Sequence, residues 1–362
     1  MKKIRVGILC GGRSAEHQVS LQSARNIVDA IDRDRYEVVL IGIDRTGQWH
    51  LGDSAGFLLN AHDPKQIALN RLSETVTLAP GAPTDPVTTT TTHRPAGDID
   101  VIFPVLHGPF GEDGTVQGLL KLANLPFVGS GVLGSAVSMD KDVMKRLLRD
   151  AGIAIPEFMT FLSSDRNRIS FDEVRGRLGM PCFIKPANLG SSVGITKARD
   201  ARELEAGVRE AFRYDRKILV EECVTGREIE CAVLGNARPE ASGLGEVRPT
   251  HEFYSYEAKY IDEHGAELEI PAKLPKELTE EIRATAVEVH RVLACEGMSR
   301  VDFFLKEDGE VLVNELNTIP GFTRISMFPK LWEVAGVSYA DLIDRLIQLA
   351  LERFDEEKTL DT

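Results

Sequence analysis

The sequence predicts an α/β and α+β protein of three units: an N-terminal parallel α/β layer of Rossmann-like type, then two α+β units. Three observations predict it. Residues 1–128 alternate apolar runs with helical periods, the pattern of parallel strands joined by crossover helices. Residues 129–224 and 225–362 each mix helices with strands bounded by glycine-rich turns. Finally, 362 residues exceed what one hydrophobic core ordinarily organises.

In chain order, residues 4–10 read as a buried strand ending at Gly11-Gly12, residues 19–32 as a helix and 36–43 as the next strand. Residues 101–106 are another apolar strand, followed by a helix over 115–123 and a short strand at 126–128. Residues 80–95, with Pro83, Pro86 and threonines 88–92, carry too little apolar surface to pack and read as an exposed excursion. The second unit opens with a helix over 135–152, with Met144, Leu147 and Leu148 on one face and Gly152 as its stop. Strand 182–185, the glycine-rich stretch 188–194, helix 201–212 and strand 218–221 follow. The third unit begins near Gly226 with strand 228–234, helix 275–293 and a hairpin over 300–315. In its last helix, 339–351, Leu342, Ile343, Leu346, Ile347 and Ala350 recur at helical spacing as core. The acidic residues from Glu352 onward read as a fraying, solvated end.

Hydrophobic residues at 43% and charged residues at 27% are those of a soluble globular chain. A net charge of −13 argues against a nucleic-acid surface, so a phosphate-bearing ligand would need local cations and backbone amides. The five cysteines, Cys10, Cys182, Cys223, Cys231 and Cys295, form no CxxC pair and lie in or beside apolar segments, as free thiols of a reducing compartment do. Residues 1–7 read as a first strand, not a leader, and no apolar run approaches membrane-spanning length. The expected location is the cytoplasm, with neither membrane nor nucleic acid as partner.

The hairpin carries the chemistry. With Asp308-Gly309 as a two-residue turn, Asp302 faces Glu315 and Arg300 faces Asn317, on one side of the sheet. Opposed carboxylates repel unless a cation lies between them, and carboxylate with amide oxygen suits Mg²⁺. Taken alone, the hairpin also fits a solvated sheet face, and a one-residue change in turn length would separate Asp302 from Glu315. Lys185-Pro186 and Gly190-Ser191-Ser192-Val193-Gly194 offer a point charge, backbone N–H groups and hydroxyls to phosphate, or form an ordinary glycine turn. The spacing is neither a Walker loop nor a kinase loop. Lys141 lies on the preceding helix. Glu221, Glu222 and Val224 end a strand before Gly226, where extended backbone suits a purine edge and Glu228 a ribose; as single residues these glutamates also fit a plain surface.

Taken together, the motifs resemble the D-alanine–D-alanine ligase family of the ATP-grasp superfamily along nearly the whole chain. The resemblance rests on Gly11-Gly12-Arg13-Ser14-Ala15-Glu16, on His107-Gly108 with Gly111-Glu112-Asp113-Gly114, on Met139-Asp140-Lys141 and on Lys185-Pro186. It continues through 190–194, Tyr256-Glu257-Ala258-Lys259-Tyr260, Arg300-Val301-Asp302 and Asn314-Glu315-Leu316-Asn317-Thr318 with Pro320-Gly321. It implies an ATP-grasp fold, with ATP between the second and third units. Lys141, Lys185 and Ser191 would meet the phosphates, and Lys259 the transferring one. Glu221, Glu222, Val224, Glu228, Phe253 and Phe304 would surround the adenosine. Asp302, Glu315 and Asn317 would hold two Mg²⁺ (Mn²⁺ as an alternative), bridged by Glu315.

The implied reaction joins two D-alanines through an acyl phosphate for peptidoglycan precursors, with catalysis by positioning and charge stabilisation. Glu16 would hold the first ammonium, although a helix-start glutamate is otherwise commonly a cap. His107 would support the first substrate, Arg300 and the Gly321 N–H would form the oxyanion hole, and Ser326 and Met327 would bind the second carboxylate. Tyr260, on a lid hydrogen-bonding toward Ser191 and Glu16, favours amide over ester formation. The alternatives are an acceptor such as D-lactate, or a nucleotide-binding protein without turnover. The resemblance further implies a homodimer. Departures are slight: Pro109-Phe110 interrupt the glycines after His107-Gly108, and Ile319 and Arg324 fall at variable positions.

Overall fold

The computed structural model describes residues 2–52, 57–60, 63, 66–70, 74–81, 86–90, 97–249 and 266–361. The first unit contains β1 (Ile4–Gly11), α1 (His17–Ala30), β2 (Tyr36–Ile43), β3 (Trp49–Gly52), β4 (Leu58–Leu59), β5 (Ala68–Leu69), β6 (Glu74–Leu78), β7 (Val87–Thr89), β8 (Val101–Pro104) and α2 (Thr115–Leu122). Its main sheet has the order β7-β6-β3-β2-β1-β8. Parallel pairing, expected throughout, is confined to β2, β1 and β8, and antiparallel β3, β6 and β7 extend the sheet. Part of the expected excursion is therefore a strand. Val87 and Thr89 point inward by the two-residue alternation of a half-buried edge, and both are buried. Residues 126–128 form a single parallel bridge, Ile102 to Phe127, instead of a strand.

The second unit contains α3 (Val132–Met139), α4 (Lys141–Asp150), β9 (Phe158–Leu162), α5 (Phe171–Leu178), β10 (Cys182–Pro186), β11 (Thr196–Ala198), α6 (Ala201–Ala211) and β12 (Lys217–Glu222). The single helix expected over 135–152 is two helices. Asp140 leaves helical geometry and caps α4, its side chain accepting from the Val143 N–H. That break directs Lys141 toward the glycine-rich loop. The sheet, β11-β10-β12-β9, is antiparallel throughout and packs Ile184, Ile218 and Val220 against Leu204 and Val208 of α6.

The third unit contains β13 (Arg227–Leu234), β14 (Glu240–Pro249), β15 (Ala266–Glu269), α7 (Lys276–Val292), β16 (Met298–Leu305), β17 (Val311–Asn317), α8 (Met327–Val334) and α9 (Tyr339–Lys358). Its antiparallel sheet, β15-β14-β13-β16-β17, buries Ile229, Val301, Phe303 and Val313 against Ile282 and Val289 of α7. The helix α9 runs seven residues beyond the expected 351. The supposed fraying end is anchored by buried Arg353, whose guanidinium donates to the carbonyls of Phe127 and Gly129 and pairs with Glu296. The first and third units share one core, in which Ile8, Leu21 and Phe103 meet Phe322, Leu342 and Leu346. The second unit joins the third unit's core through Met144 and Leu148 of α4, and elsewhere the two units face each other across a cleft. Among the described residues, no helix is long and apolar enough to cross a membrane.

Candidate active site

The hairpin β16–β17 builds the centre of the site. Arg300 pairs with Asn317 and Asp302 with Glu315, as expected, but not by the expected turn. The loop has three residues, Glu307, Asp308 and Gly309, with Gly309 at φ +90° and the Lys306 N–H donating to Glu310. That extra residue shifts the pairing by one from Leu305–Val311 to Phe303–Val313. A bulge at Asn314 then shifts it back between Phe303 and Asp302. Val313 and Leu316 stay in the core, while Asn314 and Glu315 both turn toward the cleft.

On that face the Arg300 guanidinium donates to both Asp302 oxygens, at 2.7 and 2.8 Å, and lies 2.9 Å from Glu230. The Asn317 amide donates to Asp302 at 3.1 Å, and the Lys141 ammonium lies 3.5 Å from Glu315. The opposed acids are thus neutralised by Arg300 and Lys141, which offsets their repulsion. Asp302, Glu315 and Asn317 offer only oxygen donors toward a ligand, the set a hard divalent cation takes. Among the described residues no cluster of three or more His, Cys, Asp or Glu forms a self-sufficient metal site. The patch therefore fits an ion whose shell is completed by phosphate and water.

A cavity of about 350 Å³ lies beside this face, between the second and third units. Lys141, Lys185, Ser191, Glu221, Glu222, Val224, Glu228 and Phe304 all line it. Phe183, Ile195, Lys197 and Asn314 line it too, and only Asn314 had appeared among the motifs. Lys141 donates to the Leu189 carbonyl at 2.7 Å, tying α4 to the glycine-rich loop. In that loop Ser191 and Ser192 sit at φ +51° and +59°, a left-handed pair that costs roughly 1–3 kcal/mol per residue. The Val193 and Ile195 N–H groups close turns onto Gly190 and Ser192, and a turn of this kind can present its remaining N–H groups to an anion. Glu222 turns its carboxylate to the Glu157 N–H at 2.8 Å. Glu221 is 1% exposed and not a surface acid; its carboxylate is gripped by Lys185 and by Lys145, the latter at 2.8 Å. Burial opposes its ionisation, but the two ammoniums outweigh this and hold it below the usual carboxylate range.

A smaller cavity of about 90 Å³ opens between the first and third units. Glu16, His107, Arg300, Gly321, Ser326 and Met327 line it, so the structure brings together all the expected substrate residues. Glu16 starts α1 without capping it; its carboxylate accepts instead from Ser191 at 2.5 Å. Gly108, at φ +75°, makes room for it, since a Cβ there would stand 3.0 Å from the Glu16 oxygen. His107 places Nδ1 3.0 Å from the Ile319 carbonyl, so that nitrogen carries the proton, and Nε2 lies 3.5 Å from Ser23 Oγ. Burial lowers its pKa and keeps the ring neutral, against the opposing pull of Glu16. Ser326 Oγ accepts from the Thr323 N–H at 3.0 Å.

Two residues to which the sequence assigned no role shape this pocket. Glu112 accepts from the Gly108 N–H at 2.5 Å and from the Ile319 backbone. It keeps some surface toward the cavity, yet burial, then the charge of Glu16, pushes it up to about 8. Ser23, fully buried on α1, accepts from the Phe322 N–H at 3.4 Å. Glu315, Gly190 and Ser191 line both cavities, which therefore meet at the face that carries Asp302, Glu315 and Asn317. The expected residues Phe253, Lys259 and Tyr260 lie outside the described residues.

Two family models match the chain, the D-ala D-ala ligase N-terminus over residues 5–130 and the D-ala D-ala ligase C-terminus over residues 147–348. The chain is 54% identical to the D-alanine–D-alanine ligase of Oceanobacillus iheyensis, over 99% of its own length and 98% of the relative's. It is also 54% identical to D-alanine–D-alanine ligase A of Escherichia coli K12, over the full length of both. Among solved structures, the D-alanine–D-alanine ligase of Coxiella burnetii superposes with a TM-score of 0.83 at 37% identity, covering 99% of this chain and 98% of that one. A D-Ala:D-Ser ligase of Enterococcus faecalis superposes at 0.85 with 35% identity, covering 96% and 100%.

Proposed function

The chain belongs to the D-alanine–D-alanine ligase family, and we propose the residue roles by which it carries out that family's reaction. It is an ATP-dependent ligase that forms a carbon–nitrogen bond between two D-alanines for peptidoglycan synthesis. One observation carries the assignment of roles: Glu315 and Ser191 belong to both cavities, so a nucleotide tail in the larger would meet a carboxylate in the smaller.

Lys141 and Lys185 exchange Glu315 and Glu221 for phosphate oxygens, while Glu221, Glu222, Val224, Glu228 and Phe304 surround the adenosine. Two Mg²⁺ held by Asp302, Glu315 and Asn317 would supply charge neutralisation on those oxygens. Glu16 holds the ammonium of the first D-alanine, and that substrate's carboxylate attacks the γ-phosphorus. The bond to the bridging oxygen breaks, giving an acyl phosphate and ADP. The second D-alanine, its carboxylate at Ser326 and Met327, attacks the acyl carbon with its neutral amine. The bond from that carbon to the phosphate oxygen breaks, and phosphate leaves with the bonding pair and takes up the proton that the amine gives up. Arg300 and the Gly321 N–H stabilise the oxyanion; one such donor is typically worth ~10²–10³ in rate. His107 supports the first substrate from behind. Phe253, Lys259 and Tyr260 keep the parts the family motif assigns them: nucleotide contact, contact with the transferring phosphate, and closure over Ser191 and Glu16.

Unit boundaries at 128/129 and 224/225, a homodimer and a cytoplasmic location belong to the same reading. The free, buried thiols of Cys10, Cys182, Cys231 and Cys295 suit a reducing compartment. The test is phosphate release from ATP and Mg²⁺ with D-alanine or L-alanine. D-alanine should give phosphate and dipeptide in equal amounts; equal rates with the L form, or no release above background, would overturn the assignment.

A further inference from the structure

The helix α4 carries a second lysine one turn after Lys141, on the same side, and the proposed chemistry leaves it unused. Lys145 is 1% exposed and does not line the nucleotide cavity. Its ammonium lies 2.8 Å from one oxygen of Glu221 and over the Phe158 ring. Lys185, which does line the cavity, holds the other Glu221 oxygen. One carboxylate, itself 2% exposed along its side chain, thus serves two ammoniums. A buried carboxylate stripped of its counter-ion is strongly disfavoured. If Lys185 alone neutralised Glu221, moving it toward a phosphate would leave that charge bare.

We propose that Lys145 is a positioning residue for the nucleotide: it keeps the charge of Glu221 compensated, which frees Lys185 to exchange a carboxylate for a phosphate oxygen. Lys145 never touches ATP. Burial draws its pKa below the ordinary lysine range, the Glu221 carboxylate opposes that shift, and Lys185 and Lys141 pull the same way as burial. The inference rests on the nucleotide occupying this cavity.

The experiment measures KM for ATP and for D-alanine, with the ATP-induced shift in Tm, for Lys145→Met, Lys145→Arg, Lys185→Met and Lys145→Met/Glu221→Gln. Lys145→Met should raise the ATP KM about tenfold or more while the D-alanine KM stays within about twofold. Lys145→Arg keeps a cation and should hold the ATP KM within about threefold of the native value. The double variant has no buried charge to compensate and should bind ATP more tightly than Lys145→Met alone. If Lys145→Met does not fold, Lys145→Gln, equally uncharged but able to hydrogen-bond Glu221, takes its place, with the same ATP-selective rise in KM expected and the same outcomes overturning the proposal. An unchanged ATP KM in Lys145→Met, or equal rises for both substrates, would overturn the proposal. An unchanged ATP KM in Lys185→Met would instead overturn the placement of the nucleotide.

Discussion

The two cavities are built on opposite plans. In the larger cavity, the proposed nucleotide site, the walls are side-chain charges already satisfied by one another: Lys141 by Glu315 and Lys185 by Glu221, with Arg300 on Asp302 at its border. Ligand entry there is an exchange of ionic partners. In the smaller pocket the key wall is backbone, the run from Ile319 to Phe322, and side chains of the first unit hold it in place. His107 takes the Ile319 carbonyl, Glu112 the Ile319 backbone, and Ser23 the Phe322 N–H. Gly321, the proposed oxyanion donor, lies inside that grip. Charges lost from the first cavity should therefore cost ligand-specific orders of magnitude. Clamps lost from the second should cost geometry, in smaller amounts spread over the chemical step.

The largest effect should follow from Glu315→Gln, which removes a charge at the junction of the cavities. Several kcal/mol of phosphoryl-charge stabilisation would go, so kcat should fall on the order of 10³-fold. The fold should survive, because Glu315 faces the cleft while Val313 and Leu316 hold the strand in the core. Steady-state rates at saturating Mg²⁺, with the Tm of the unliganded protein, check both halves; near-native kcat would break the contrast at its stronger end.

An intermediate effect belongs to Glu112, where the two plans meet. Its pKa in the folded protein, about 8, lies above its ordinary value of 4.5, because burial and Glu16 disfavour the charge. Between those values the folded state holds a proton that the unfolded state has lost. The Glu112 contribution to stability is therefore complete below about pH 4.5 and is lost as pH rises toward 8. Glu112→Gln should flatten this slope, so the Tm difference between variant and native protein should grow in the variant's favour by a few degrees from pH 5.5 to 8.5. Parallel Tm–pH curves would mean that Glu112 ionises like a solvated acid.

This contrast also explains what the sequence revealed. Charged and glycine-rich motifs mark a candidate phosphate site because the chemistry demands those residue types in short order: that Lys141, Lys185, residues 190–194 and the Asp302–Glu315 pair come together was legible. Even there, the pairing was right for an incomplete reason. The turn is one residue longer than Asp308-Gly309 alone would make it, and the Asn314 bulge cancels the shift. No local propensity announces a bulge. Lys145 looks like any helical lysine, and only the fold reveals that it is buried against Glu221. Ser23 lies 299 positions from its partner Phe322, and Arg353 lies 224 from Gly129. Contacts of that span leave no periodic trace, so the acidic end of α9 passed for solvent-exposed.

The smallest effect should come from Ser23→Ala, and it tests the clamp plan most cleanly, since Ser23 does not line either cavity. The alanine removes the acceptor for the Phe322 N–H and the neighbour of His107 Nε2, and leaves Ile319 held by His107 and Glu112. A single neutral hydrogen bond is worth about 1 kcal/mol, so kcat should fall about fivefold. KM for ATP should not move, because no partner of Ser23 lines the nucleotide cavity. If the pocket were instead built like the nucleotide cavity, on charge alone, removing a neutral hydroxyl would change neither constant. A fall in kcat with constant ATP KM, against no change at all, separates the two plans in one pair of measurements.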